Sequence, residues 1–143
     1  MKKTTTIVSI IFLLVLCELS YGQSSGTLVI EAGIFHDNRG KAVVHLFRRE
    51  DALPKNPFME SSSIIVDGKT KIIFKNIPFG DYAAIIFHDE NSNDRIDHRF
   101  GFPNEPIGFS NHWKLSLFSG MPTFEKLKFS FGVENTALKI MLD

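Results

Sequence analysis

Residues 76–97 have the sequence NIPFGDYAAIIFHDENSNDRID, in which a turn, a strand and a polar loop follow one another directly. Residues 76–80 are turn-forming, because proline fixes φ while asparagine and glycine accept positive φ. Residues 82–87 are apolar at every position, which predicts a strand covered on both faces at the centre of a packed fold. The polar run that begins at Asp89 is the candidate functional site.

Further strands are predicted on both sides of this stretch, because the segments alternate in polarity or are rich in β-branched residues. They are residues 27–35, 42–48, 63–66, 70–77, 127–131 and 138–142. We expect the first two to form a hairpin, and the next two to form another around the turn at Asp67 and Gly68. About seven short strands without a sustained helical stripe predict an all-β fold, an antiparallel β-sandwich.

One long segment, residues 89–121, is rich in glycine, proline and asparagine and lacks periodicity. We expect it to be an ordered loop, because its apolar side chains can form a small core of their own. These are Phe100, Phe102, Ile107, Phe109, Trp113, Leu115, Leu117 and Phe118. An alternative is that Phe109, Trp113 and Phe118 form a platform with Tyr82 for carbohydrate or peptide, and we favour the loop core.

The first 22 residues resemble a cleaved secretory signal. Lys2 and Lys3 precede an apolar run at 7–17, and small residues stand at the expected positions before a cut ahead of Gln23. The run is too short to span a bilayer of about 30 Å. A lipid anchor on Cys17 is not favoured, because Leu16 precedes it where a small residue is expected. The sequence therefore predicts one exported domain, residues 23–143, in the periplasm or outside the cell.

The overall charge does not indicate a nucleic-acid partner. Sixteen basic side chains balance sixteen acidic ones, so no net field attracts nucleic acid or anionic lipid. The segment after the predicted cut has no cysteine and cannot form a disulfide. A protein or carbohydrate ligand and the oligomeric state stay open at this point.

The loop at 89–97 has the spacing of a calcium site. Asp89, Asn91, Asn93 and Asp97 place oxygens at alternate positions, and Arg95 can offer its backbone carbonyl. Hard cations such as Ca²⁺ prefer this arrangement. We expect Glu105 to fold back and close the site. The alternative is a metal-free polar turn, in which these side chains hydrogen-bond the local backbone.

Four further residues are expected to support the loop. His88 and Asp94 adjoin proposed ligands in the sequence, and Ser110 and Asn111 follow shortly after Glu105. Asp94 occupies the position at which calcium loops carry glycine, so we expect a left-handed backbone conformation there. We expect His88 to orient a loop carboxylate without binding the metal itself.

Two other chemistries are less favoured. His36, His88, His98 and His112 lack the close spacing typical of a zinc or copper site. An enzyme would depend on acid–base pairs among Asp89, Glu90, Asp94, Asp97 and Glu105, as in glycoside hydrolysis. Carboxylates at alternate positions of one loop converge on a point, which suits a cation better than two faces of a sugar. We therefore expect no catalysis.

The same residues carry a resemblance to a bacterial family, "domain of unknown function 2141". Its pattern has a Phe-x-Asn-Ile/Leu-Pro-x-Gly-x-Tyr-Ala turn and a His-Asp-x-Asn-x-Asn-Gly-x-x-Asp run. A Gly-x-Pro-x-Glu-x-x-Gly-Phe-Ser-Asn segment follows. The matching positions are Phe74, Asn76, Ile77, Pro78, Gly80, Tyr82, Ala83, His88, Asp89, Asn91, Asn93, Asp97, Gly101, Pro103, Glu105, Gly108, Phe109, Ser110 and Asn111. Asp94 departs from the pattern, which has glycine there. The resemblance implies an exported domain without established activity, and its turn is similar to that of transthyretin-like sandwiches.

The sequence thus predicts an exported, calcium-stabilised β-sandwich that serves as a binding or structural module. The alternatives are a metal-free accessory domain of the cell envelope and a small carbohydrate-active enzyme.

Overall fold

The computed structural model describes residues 24–116 and 118–142, and the predicted signal at 1–22 lies outside them. Ten strands occur in these residues. They are β1 (Ser25–Gly33), β2 (Lys41–Phe47), β3 (Met59–Ser63), β4 (Lys69–Pro78), β5 (Gly80–Asp89), β6 (His98–Arg99), β7 (Phe102–Pro103), β8 (Ile107–Phe109), β9 (Phe129–Phe131) and β10 (Ala137–Met141). A short turn at Ser110–His112 and helix α1 (Phe124–Leu127) complete the fold. No helix in the described part of the chain is long and apolar enough to cross a membrane.

The strands form a β-sandwich, as predicted. One sheet has the order β10-β1-β4, and the other has the order β3-β2-β5-β8, with β9 pairing the start of β5. All pairs are antiparallel except β1 with β10, which is parallel. Strands β6 and β7 form a separate two-stranded ribbon within the long loop.

Strand β5 is the central strand that the sequence predicts. Residues 82–89 are all buried. Because side chains alternate between the faces of a strand, Tyr82, Ala84 and Ile86 enter the core between the two sheets. Ala83 and Ile85 face the other way, into a second apolar cluster.

Both predicted hairpins are wrong in their pairing. Strands β1 and β2 lie in different sheets, so residues 34–40 form a crossover between the two layers. The turn at Asp67 and Gly68 is present, but the two segments that flank it pair only through a single bridge, between Val66 and Lys69. Residues 59–63 form a strand that pairs with β2, although only residue 63 falls in a predicted strand. The chain changes sheets at residues 64–66, where Ile65 enters the core.

The long loop covers the outer face of the five-stranded sheet. Phe109 is buried there, and Ile107, Trp113 and Leu115 pack against it. The predicted loop core is therefore only partly correct, because Phe100 and Phe118 are 91% and 99% exposed. Leu117 lies outside the described residues. The aromatic residues of the candidate platform do not all lie together either, because Tyr82 belongs to the main core and not to this cluster.

Candidate functional site

The candidate loop begins at the end of the central strand. Asp89 is the last residue of β5, lies opposite Lys41 of β2 and is fully buried. Its Oδ1 accepts the backbone N–H of Asn93 at 3.0 Å, and its Oδ2 accepts that of Asp94 at 2.9 Å. These two bonds turn the chain back over the end of the strand. Asp94 has φ of 62°, which confirms the left-handed conformation expected at this position.

Three of the predicted ligands meet on the outer side of the turn. The side-chain amide of Asn91 donates to Asp97 Oδ2 at 2.7 Å, and that of Asn93 donates to Asp97 Oδ1 at 3.1 Å. The amide oxygen of Asn93 in turn accepts the backbone N–H of Arg95 at 2.8 Å. The alternate spacing therefore brings these side chains together as the sequence predicts.

Glu105 folds back onto the loop, as expected. Its Oε1 accepts the backbone N–H of Glu90 at 3.3 Å, and its Oε2 accepts that of Asp97 at 3.1 Å. The carboxyl group thereby joins the two ends of the loop. Burial raises the pKa of Glu105, and the negative charges of Asp97 and Asp89 raise it further, against the lowering effect of the two backbone hydrogen bonds.

Negative charge exceeds positive charge around this loop. Asp89 and Glu105 are buried carboxylates, and Asp97 and Asp94 lie beside them. Lys41 is a nearby cation, with its Nζ 2.6 Å from Asp94 Oδ1 and 4.0 Å from Asp89 Oδ2, and Arg39 Nη2 lies 3.3 Å from Glu90 Oε2. The hydrogen bond to Asp94 raises the pKa of Lys41 above its ordinary value, which burial opposes.

The carboxylates do not complete a metal site by themselves. Within residues 24–116 and 118–142, no group of three or more His, Cys, Asp or Glu side chains is arranged to hold a metal ion. A cation at this loop would need further ligands, such as the amide oxygens of Asn91 and Asn93 or the backbone carbonyl of Arg95 that the sequence predicts. Both amides already lie within hydrogen-bonding distance of Asp97.

The role predicted for His88 is corrected by the structure. The ring is fully buried, and its Nε2 lies 2.8 Å from the backbone carbonyl oxygen of Arg39, to which it can donate. It therefore supports the crossover between β1 and β2, and its Nδ1 is 4.0 Å from Glu90 Oε1. Adjacent residues of a strand face opposite sides, so His88 and Asp89 point in different directions.

Ser110 and Asn111 also support a different part of the molecule than expected. The hydroxyl of Ser110 is buried, accepts the N–H of Ala84 at 2.9 Å and lies 2.5 Å from the carbonyl oxygen of Leu127. The side-chain amide of Asn111 donates to the carbonyl of Lys126 at 3.1 Å. These two side chains attach helix α1 to the sheet, away from the 89–97 loop.

Two residues that contribute to the site were missed by sequence reasoning. Lys41 supplies its cation, and Gly40 allows the crossover to pass directly beneath Asp89. A correct prediction that β2 pairs with β5 would have identified them, because this pairing places residue 41 opposite residue 89. The predicted hairpin of β1 with β2 concealed this pairing.

The fold and the loop together define a small β-sandwich protein with an asparagine-rich acidic loop at the end of its central strand. The chain belongs to the bacterial family described as "Uncharacterized protein conserved in bacteria (DUF2141)", which it matches over residues 30–139. No curated protein and no solved structure matches the sequence.

Proposed function

We propose that this protein is an exported module whose 89–105 loop binds calcium and thereby forms a rigid surface for binding or assembly. The observation that carries the proposal is the excess of oxygen ligands over cations. Asp89 and Glu105 are buried at the two ends of the loop, Lys41 Nζ lies 4.0 Å from Asp89, and Arg39 pairs with Glu90 instead. Buried carboxylates are costly unless they are paired. A divalent cation would compensate both.

The ligands available at the loop suit a hard cation. Each oxygen of Asp89 and Glu105 accepts one N–H, and a carboxylate oxygen has capacity for a second partner. Rotation of the Asn91 and Asn93 amides would turn their oxygens toward Asp97. Carboxylate, amide and backbone oxygens are the ligand types that Ca²⁺ prefers.

A metal-free accessory domain of the cell envelope is the second candidate. The hydrogen bonds of the loop favour it, because Asn91 and Asn93 donate to Asp97 and close the turn without an ion. In that case the loop is a rigid polar turn, and the side chains serve the backbone alone.

The proposed module is not an enzyme. The acidic side chains that a glycosidase would need are instead hydrogen-bonded to the backbone of their own loop, as Asp89 and Glu105 are. The alternative, a small carbohydrate-active enzyme, predicts turnover of a glycan that disappears in an Asp97→Asn variant whose stability is unchanged. We expect no such turnover.

Export is tested independently of the metal. Mass spectrometry of the protein recovered from the periplasm or medium should show a chain that begins at or near Gln23. A lipid-modified Cys17 at the N-terminus would contradict the proposed free module and place it on a membrane.

Calorimetric unfolding with calcium and with chelator distinguishes the two leading candidates. Extracellular calcium modules bind with dissociation constants of about 10⁻⁴ to 10⁻³ M. With about 1 mM ion and a constant near 0.1 mM, binding contributes about 1.4 kcal/mol. For a domain of this size we expect the melting midpoint to rise by about 3 to 6 °C.

The matched variants are Asp97→Asn, which removes a ligand charge, and Asp67→Asn, which removes a charge from a turn outside the loop. Asp67 has φ of 51°, a conformation that asparagine also accepts. The calcium-dependent rise should be lost in the first variant and retained in the second. If calcium does not move the midpoint of the unaltered protein, the loop is an ordinary polar turn and the calcium proposal is wrong.

A further inference from the structure

The outer face of the three-stranded sheet is open along its whole length. Residues of β1, β4 and β10 that point away from the core form rows across the sheet. One row is Lys139, Glu31 and Lys71, and the next is Ala137, Val29 and Ile73. In the second sheet, loops cover the outer face, whereas no described element pairs or packs over this one.

Positive charge is concentrated on this face although the chain as a whole is neutral. Lys69, Lys71, Lys75 and Lys139 are all exposed on it. Glu31, whose Oε1 lies 3.6 Å from Lys71 Nζ, is the one acidic side chain on the outer face of these three strands within the described residues. The neutrality of the sequence therefore hides a local excess of three positive charges.

Aliphatic side chains lie among these lysines. Ile73 and Met141 are 47% and 53% exposed on the sheet, and Ile64 and Val66 are 71% and 56% exposed at its edge. A shallow depression is lined by Ile64 and Val66 together with Lys69, Lys71 and Glu31. The lysines and the exposed aliphatic groups therefore form one continuous surface, which we call the basic face.

We propose that the basic face binds the surface of a bilayer that contains anionic phospholipid. Lysine ammonium groups attract anionic headgroups, and aliphatic side chains can enter the boundary between headgroups and acyl chains. Among the described residues, this face of the three strands has no aromatic side chain. Binding of single-stranded nucleic acid typically uses aromatic stacking, and so does an aromatic platform for sugars, so the lipid surface fits better.

The test is sedimentation with vesicles of phosphatidylcholine alone and of phosphatidylcholine with one-third phosphatidylglycerol. Chelator is present throughout, so the result does not depend on the calcium proposal. We expect binding to the anionic vesicles only, and weaker binding as salt rises. All variants carry the same N-terminus, so differences between them report on the basic face.

The variants give effects of opposite sign. Each lysine near an anionic membrane contributes about fivefold in affinity, so Lys71→Gln with Lys139→Gln should weaken binding about 25-fold. Glu31→Gln should strengthen it about fivefold, because it removes the opposing charge. The control pair Lys55→Gln and Lys128→Gln, in segments that cover the other sheet, should change little. Ile64→Ser should weaken binding at high salt as well.

Two outcomes would overturn the proposal. One is equal vesicle binding by the unaltered protein and the Lys71/Lys139 double variant. The other is absence of vesicle binding. If the protein then binds a soluble anionic polysaccharide instead, the basic face belongs to a different class of partner.

Discussion

A Cβ atom built at Gly40 would lie 2.0 Å from the backbone carbonyl oxygen of Asp89. The crossover between the two sheets therefore passes in direct contact with the first residue of the candidate loop. Gly40 also has φ of 61°, which favours glycine. The close approach allows β2 to run beside β5 with Lys41 opposite Asp89.

Replacement of this glycine should destabilise the fold more than an ordinary turn substitution. Gly40→Ala adds a left-handed alanine, which costs about 1 kcal/mol, and an overlap with backbone, which costs about 1–3 kcal/mol more. We expect a loss of about 2–4 kcal/mol in the free energy of unfolding, measured with urea. Gly101→Ala is the control, because Gly101 has φ of 84° and nothing within 4 Å of its Cβ position. Equal losses in both variants would contradict the contact.

Lys41 should compete with calcium for the loop. Its ammonium group lies beside Asp94 and 4.0 Å from Asp89, so it repels an incoming cation. Lys41→Gln should raise calcium affinity about three- to tenfold, since it removes one positive charge close to the site. Isothermal titration would measure the change, with Lys69→Gln on the other sheet as the control. A fall in affinity would show that Lys41 positions the ligands.

The central strand was predictable because its signal is local. Residues 82–87 are apolar throughout, and a strand buried on both faces requires that pattern. The partners of β1 and β2 were not predictable in this way. A turn containing Asn38 and Gly40 serves a hairpin and a crossover equally well, and alternation within a strand does not specify its neighbour.

The same distinction holds for the candidate site. Asp89, Asn91, Asn93 and Asp97 are close in sequence, so a tight turn brings them together as expected. Lys41 reaches the loop only through the pairing of β2 with β5, which depends on contacts distant in sequence. The error at His88 was avoidable, since alternation along β5 places it on the face opposite Asp89.

His45 should make stability depend on pH. It packs edge-on against Phe87, both ring nitrogens are buried without hydrogen-bond partners, and Glu60 Oε2 is 3.8 Å from Nε2. Burial lowers the pKa of His45 below 6.5, although the charge of Glu60 opposes this. The unfolded state then binds the proton first as pH falls. Stability is therefore complete above pH 6.5 and declines below it, by up to about 1.4 kcal/mol per pH unit.

Urea unfolding of His45→Phe at several pH values checks this expectation. The variant should lose the part of the decline due to His45 and should be at least as stable near pH 7, because it removes two unsatisfied polar atoms. His36→Gln, at an exposed histidine, should retain the decline. The prediction fails if His45→Phe and the unaltered protein decline in parallel.

As the pH falls, calcium affinity should begin to decline at a higher pH than it would if every ligand carboxylate had its ordinary pKa. Burial raises the pKa of Glu105 above 4.5, and the neighbouring charges of Asp97 and Asp89 add to this. Without an ion, ionisation of Glu105 disfavours the folded state, so this group's contribution to stability falls as pH rises from 4.5 through the folded-state pKa. Bound calcium would favour the ionised carboxylate, and protons would compete with the ion below that pKa.

Titration calorimetry between pH 7 and 4.5 should therefore show affinity declining while pH is still above 4.5, by up to about tenfold per pH unit. Parallel titrations in two buffers of different ionisation enthalpy should detect the proton that is released. Glu105→Gln should bind more weakly at pH 7 and lose this part of the decline, because the titrating group is gone. Constant affinity down to pH 4.5 in the unaltered protein would mean that Glu105 joins the ends of the loop without binding the ion.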